Sequence, residues 1–245
     1  MRYVLVAAIA AEIMFVILDY VVNWERLSQS RPIRRLFNIT REDGLASWFA
    51  VTQEFVIALT LWAMFALLVN LGAQRRRRLG WLLIACLFTY LSVDDGAMIH
   101  ERIGSAVEDV IENSSDGVFS AWPTYEWHLV YLPILGVAGL SLLTFLWREF
   151  VLRERILMIA AFAFLAIAIG MDFAEGIKGT YDQLEELVGI RDKTLAHFSK
   201  SIEEFLEMLA MTIFLTIFLR HLIAQCERVE LLLTDSGAGA HRPTD

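Results

Sequence analysis

Ile202-Glu-Glu-Phe-Leu-Glu-Met-Leu-Ala-Met-Thr-Ile-Phe-Leu-Thr-Ile-Phe-Leu-Arg-His-Leu-Ile223 is the stretch that decides the fold. As a helix rising about 1.5 Å per residue, it is long enough to cross about 30 Å of hydrocarbon. Yet its first turns carry Glu203, Glu204 and Glu207. A charge near the centre of a spanning helix costs about 2.5–3.5 kcal/mol, and less toward the ends. Such acids need a counterpart: a proton, a cation, a hydrogen-bond partner or a water-filled cavity.

The same pairing of long apolar run and acid recurs upstream. Further runs lie near Tyr3–Val22, Trp48–Leu71, Leu79–His100, Trp127–Trp147 and Ile156–Glu175. No ten-residue segment alternates with period two, as a membrane barrel requires. The chain of 245 residues is 57% hydrophobic, beyond an ordinary soluble domain. These features predict an all-α membrane protein. Residues 1–233 form one bundle of six transmembrane helices, whose backbone polar groups are satisfied internally as lipid demands. Residues 234–245, ending Gly-Ala-Gly-Ala-His-Arg-Pro-Thr-Asp, read as a disordered tail.

Glu12 and Asp19 within the first run argue for a retained span rather than a cleaved signal peptide. Cys86 reads as a buried small hydrophobe and Cys226 as a free thiol. The net charge of −8 does not suggest nucleic acid as a partner, and the basic residues of the loops read as membrane-orienting charges. No P-loop, Gly-x-Ser-x-Gly, His-Glu-x-x-His or Cys-x-x-Cys occurs, which sets aside nucleotide hydrolysis and several protease classes.

Arginines crowd two short loops, Arg75 to Arg78 and Arg148, Arg153 and Arg155, whereas the loops after the third and fifth runs are acidic. The positive-inside rule then puts both termini in the cytoplasm, and the protein in a bacterial inner membrane as a multi-pass component. Arg26, Arg31, Arg34, Arg35 and Arg41 dissent from this count, and Pro32–Ile39 reads as an interfacial segment with Ile33, Leu36 and Phe37 dipping into the membrane.

Alternating helix direction collects the acids at one end of the bundle, whichever side that end faces. Asp19 ends the first span and Glu54 lies near the start of the second. Asp94, Asp95, His100 and Glu101 close the third, and Asp172 and Glu175 the fifth. His197, Glu203, Glu204 and Glu207 open the sixth. The opposite half holds only Glu12, deeper in the first span. Residues three, four or seven apart share a helix face. Asp94, Met98 and Glu101 then form one stripe, while Lys200 shares the face of Glu204 and pairs with Glu204 or Glu203. A start near Asp192 or Thr194 as N-cap carries His197 into that column.

Carboxylates with a few histidines are the ligand set by which helical bundles hold iron, manganese or zinc. Met98, Met171, Met208 and Met211 read as apolar filler rather than copper ligands. His128, beside Trp127 and Tyr125, reads as an interfacial anchor, and Glu126 as an interface residue. Pro133 is expected to kink the fourth span, Gly96, Gly170 and Gly176 to permit close helix approach, and helices over Arg102–Asn113 and Tyr181–Val188 to cap a cavity.

Three stretches, Ile39-Thr-Arg-Glu-Asp-Gly-Leu-Ala-Ser-Trp-Phe49, Leu91-Ser-Val-Asp-Asp-Gly-Ala-Met-Ile-His-Glu101 and Ile202-Glu-Glu-Phe-Leu-Glu-Met-Leu209, together resemble a group of uncharacterised bacterial multi-pass membrane proteins. The resemblance spans nearly the whole chain and implies six spans, but no activity. In that group Glu is usual where this chain has Asp95, which is one methylene shorter.

The leading expectation is one or two divalent metal ions held near the outer membrane face. The candidate ligands are Glu54, Asp94, Asp95, His100, Glu101, Asp172, Glu175, His197, Glu203, Glu204 and Glu207, with Lys200 and Asp19 supporting them. A carboxylate-bridged pair suits oxidoreductase chemistry on a lipid-soluble substrate. A small cationic ligand passing through the same carboxylates makes a cation or proton transporter the second reading, and a non-catalytic subunit docking a partner the third.

Overall fold

In the computed structural model, residues 2–113, 124–125, 127–177, 179–189 and 193–226 are described, and every regular element among them is helical. The order is α1 (Arg2–Leu18), which runs on as a π-helical turn over Asp19–Trp24, then α2 (Arg31–Phe37), α3 (Leu45–Asn70), α4 (Arg75–Ala97), α5 (Ile99–Asn113), α6 (Trp127–Glu149), α7 (Leu152–Gly176), α8 (Thr180–Val188) and α9 (Thr194–Gln225). Six helices are long and apolar enough to cross a membrane: α1 with its π-turn, α3, α4, α6, α7 and α9. The chain is thus an all-helical, multi-pass membrane protein. Residues 234–245 and the loop positions Asp116, Glu126 and Asp192 lie outside the described residues.

Outward-facing Val6, Ile17, Leu83, Val137 and Ile156 are exposed, as lipid-facing side chains should be. Lipid is as apolar as leucine, so the interior must be held by close packing rather than by escape from water. Trp81, Phe88, Phe214 and Phe218 supply it, with Leu61, Met64 and Met158 between α3, α4, α7 and α9. Phe88 meets Phe214 and Phe218 edge-on at 5.8 and 5.6 Å. Such pairs each contribute about 0.5–1.5 kcal/mol beyond their area. α6 joins this core at one end through Leu142 and Leu146, and toward its other end borders a large cavity.

Several local expectations need correction. α4 does not continue through the predicted stripe: Met98 adopts a left-handed conformation with φ 55°, and α5 sets off at Ile99. Glu101 is therefore not on the helix that carries Asp94. α9 begins at Thr194, with Lys193 rather than Asp192 or Thr194 as its N-cap. The Lys193 side chain makes no capping bond. Glu185 of α8 caps the helix instead, accepting from Leu195 N at 2.8 Å and Lys193 N at 3.2 Å. That remote carboxylate satisfies donors the helix start would leave orphaned. α8 thus serves α9 and not the cavity. Cys86 is exposed rather than buried. Gly170 faces open space and a Cβ on Gly96 would meet Val51 at ordinary contact distance, whereas a Cβ on Gly176 would clash with Thr124 Oγ1 and with Tyr125 N at 2.8 Å, so of these three Gly176 is the one whose close approach requires glycine.

The half away from the acids is not polar-free either. Glu149 accepts from Arg77 Nε at 2.7 Å and Trp81 Nε1 at 3.2 Å. Buried His221 stacks on Trp81 and lies 3.5 Å from buried Glu154. These groups clamp the α6–α7 corner onto α4 and α9.

Candidate metal centre

A cavity of about 1220 Å³ opens at the acidic end. Glu54, Asp94, Asp95, His100, Glu101, Asp172, Glu175, Lys200, Glu203, Glu204 and Glu207 all line it. Its deeper wall is apolar, formed by Leu87 and Leu91 of α4, Leu132, Leu135 and Gly139 of α6, and Leu165 and Ile169 of α7. One space therefore joins a charged head to a greasy cleft between helices.

Two groups of donors stand close enough to share an ion. In the first, ligand atoms of Asp94, Asp95 and His100 all lie within 4.8 Å of one another. The break at Met98 makes this group. It turns the chain so that His100 N donates to Asp94 Oδ1 at 2.9 Å, while His100 Nδ1 sits 3.2 Å from Asp94 Oδ2. A carboxylate that holds one imidazole nitrogen fixes the orientation of the ring. Trp127 and Tyr131 pack edge-on against that ring at 5.3 and 6.1 Å. Glu54 is 3% exposed, its Oε2 has no hydrogen-bond partner, and its carboxyl faces Asp95 with Glu207 nearby.

The second group is Asp172, Glu175 and Glu203, again within 4.8 Å. Here Lys200 already stands: its Nζ is 2.6 Å from Glu203 Oε1, 3.4 Å from Asp172 Oδ1 and 3.9 Å from Glu204 Oε1. An ammonium in that position supplies the charge a metal would otherwise supply. Opposite it, fully buried His128 brings Nε2 to 3.1 Å from Asp172 Oδ2, while its Nδ1 lies 3.2 Å from Tyr125 O. His128 is thus no interfacial anchor. Trp127 stacks on it at 4.0 Å. Burial, with Glu175 and Asp172 close by, pushes the Tyr125 hydroxyl up to about 12 and keeps it protonated across the physiological range.

Two predicted site residues are elsewhere. His197 and Asp19 pair with each other, Nε2 to Oδ2 at 2.8 Å, outside the cavity. Asp19 also accepts from Asn23 Nδ2, Ser201 Oγ and Ile39 N, so it tethers the π-turn and the α2–α3 connection to α9. Asp19 stands where α1 passes into the π-turn, and its partners there come from the α2–α3 connection and from α9 rather than from the cavity. His197 is accordingly part of a tether and not a ligand.

Glu42 is a residue that sequence reasoning missed. It sits in the cavity mouth, with Glu101 and Asp95 near it. Surrounding protein and those acids push its carboxyl above the ordinary 4.5, with Lys200 and His100 opposing. An acid raised in the folded state costs stability as pH climbs from its unfolded value through its folded one, and costs nothing below both. In chelator-treated protein, Glu42→Gln is expected to match wild type near pH 4 and to unfold at higher temperature at pH 8. Thermal melts across that range check it, and an equal offset at both pH values would contradict the assignment.

Residues 3–222 match a family model described as a domain of unknown function, DUF8692. The chain belongs to the DUF8692 family. Among curated proteins and among solved structures, none matches it. The resemblance carried by the three quoted stretches is thereby borne out at the level of an uncharacterised family.

Proposed function

We propose that the protein holds a divalent metal ion at Asp94, Asp95 and His100, with Glu54 and Glu207 completing the ligand set. The metal acts on a lipid-soluble substrate lying in the apolar cleft. One observation carries this reading: three ligand atoms within 4.8 Å of one another at the head of a cavity whose deeper wall is apolar. The oxygen and imidazole donors, with no thiolate, suit iron, manganese or zinc over copper(I). One ion is favoured over two because the Lys200 ammonium already stands among the carboxylates of the second group. In a bacterial inner membrane with both termini cytoplasmic, the site lies near the outer face.

Proton or cation transport is the second reading, favoured by the buried Glu12–Gln53–Thr212 network deeper in the bundle. It requires a wet path onward. From Glu207 to His221 along α9 the distance is about 21 Å at helical rise, and buried Phe214, Ile217 and Phe218 fill that interval. That packing supports binding and chemistry at one end over passage to the other. A docking subunit would place its acids on loop surfaces, whereas these line a cavity.

Elemental analysis of the protein purified without chelator is the deciding experiment. A stoichiometric complement of iron, manganese or zinc is expected. Protein that stays metal-free after each ion is offered, and whose vesicles carry flux driven by a pH gradient, would replace this reading with the second.

A further inference from the structure

A separate concavity of about 540 Å³ lies on the same end of the bundle, beside Trp24 and His197. Arg26, Arg31, Arg34, Arg35 and Arg41 all line it. Arg31, Arg34 and Arg35 stand three and four apart on α2, so they crowd one face and repel one another. Arg26 is brought in by a left-handed backbone, φ 54°, which a non-glycine residue seldom adopts. Asp43 reaches only Arg35 and Arg41. Among the described residues, Arg26, Arg31 and Arg34 have no ion pair. Five arginines line one hollow and Asp43 pairs with two of them, which leaves positive charge unanswered.

We propose that this hollow is a binding site for a phosphate-bearing anion. Guanidinium forks match phosphate oxygens two at a time, which makes arginine the residue suited to such a group. An anion seated there would relieve the repulsion along α2. The position favours a ligand at the membrane surface: Trp24 ends the first span, and Leu27, Ile33 and Leu36, in the same stretch of chain as the arginines, are exposed. The same chemistry is presented by an anionic lipid headgroup and by a soluble phosphate. These five arginines are also the ones that dissent from the positive-inside count, and a binding role accounts for their place. The inference does not depend on a metal in the acidic cavity, although Arg35 and Arg41 border both spaces.

The test uses the full chain in non-ionic detergent. Native mass spectrometry reads retention of phosphatidylglycerol against phosphatidylcholine, and titration calorimetry reads binding of inorganic pyrophosphate. The variant is Arg31→Gln/Arg34→Gln, and the control is Arg75→Gln/Arg76→Gln, which removes equal charge from exposed positions at the opposite end. Wild type and control are expected to bind at least one of the two probes, with a roughly tenfold to thirtyfold loss in the Arg31→Gln/Arg34→Gln protein. Phosphatidylglycerol retained without pyrophosphate binding assigns the site to a lipid headgroup. Pyrophosphate that binds and displaces the lipid assigns it to a soluble phosphate. Binding of neither probe, or equal loss in both variants, overturns the proposal.

Discussion

Asp95→Asn and His100→Ala are each expected to strip the protein of its metal, while Asp172→Asn keeps it. The first two remove a donor from the group that contains His100, and the third alters the group in which the Lys200 ammonium already stands. Asp94→Asn should fall between. Asp94 is as much the holder of His100 as a ligand, through the 2.9 Å bond to its backbone and the 3.2 Å contact to Nδ1. Losing such an orienting partner costs about 10–100-fold in metal affinity. Loss of a direct ligand should cost more. Metal content after dialysis against a graded chelator series measures all four variants. A separate readout guards against simple misfolding: melting of the metal-free proteins. Asp95→Asn removes a charge from a crowded acidic space and should leave the metal-free melt unchanged or raised. If Asp172→Asn loses metal and Asp95→Asn keeps it, the ion belongs beside Lys200 and His128.

The six spans were legible because twenty apolar residues in a row carry the signal independently of what they touch. The gathering of acids at one end was legible for a similar reason, since alternating helix direction suffices to predict it. What escaped depends on partners remote in sequence. Met98 turns left-handed although Gly96 is the residue that would ordinarily signal such a turn. The early start of α9 rests on Glu185, which belongs to a different helix. His128 looked like part of an aromatic belt because its partner Asp172 lies on α7. Glu42 lies in the connection between α2 and α3, where no helical spacing links it to the other acids. Glu149, Glu154 and His221 could have been found by the same alternation argument, applied to the other end of each helix.

Replacing Asp19 by alanine is expected to be among the most damaging single changes to stability. Its carboxylate is 1% exposed and takes four donors: His197 Nε2 at 2.8 Å, Asn23 Nδ2 at 3.0 Å, Ser201 Oγ at 3.2 Å and Ile39 N at 3.4 Å. Ser201 can fall back on His197 O, its second acceptor. Ile39, also 1% exposed, and His197, held against Trp24 by a 4.9 Å stack, have no such alternative. Each buried donor left unpaired costs about 1–3 kcal/mol, so the loss of the acceptor shared by Ile39 N and His197 Nε2 adds to about 3–5 kcal/mol. Against a stability of about 5–15 kcal/mol, a loss of about 3–5 kcal/mol should lower the melting temperature by about 10 °C. Asp19→Asn divides the effect. It keeps an acceptor for Ile39 N and removes the charge, so a melt close to wild type would mean that hydrogen bonding, and not ionic attraction, holds His197. Because Asp19 ties the π-turn, Ile39 and α9 together, its loss should also loosen the chain that carries Arg35, Arg41 and Glu42. Asp19→Ala protein, tested below its lowered melting temperature, should therefore bind both metal and phosphate more weakly than wild type. If metal and phosphate affinities are unchanged while only the melt falls, the tether is structural and the two pockets are positioned without it.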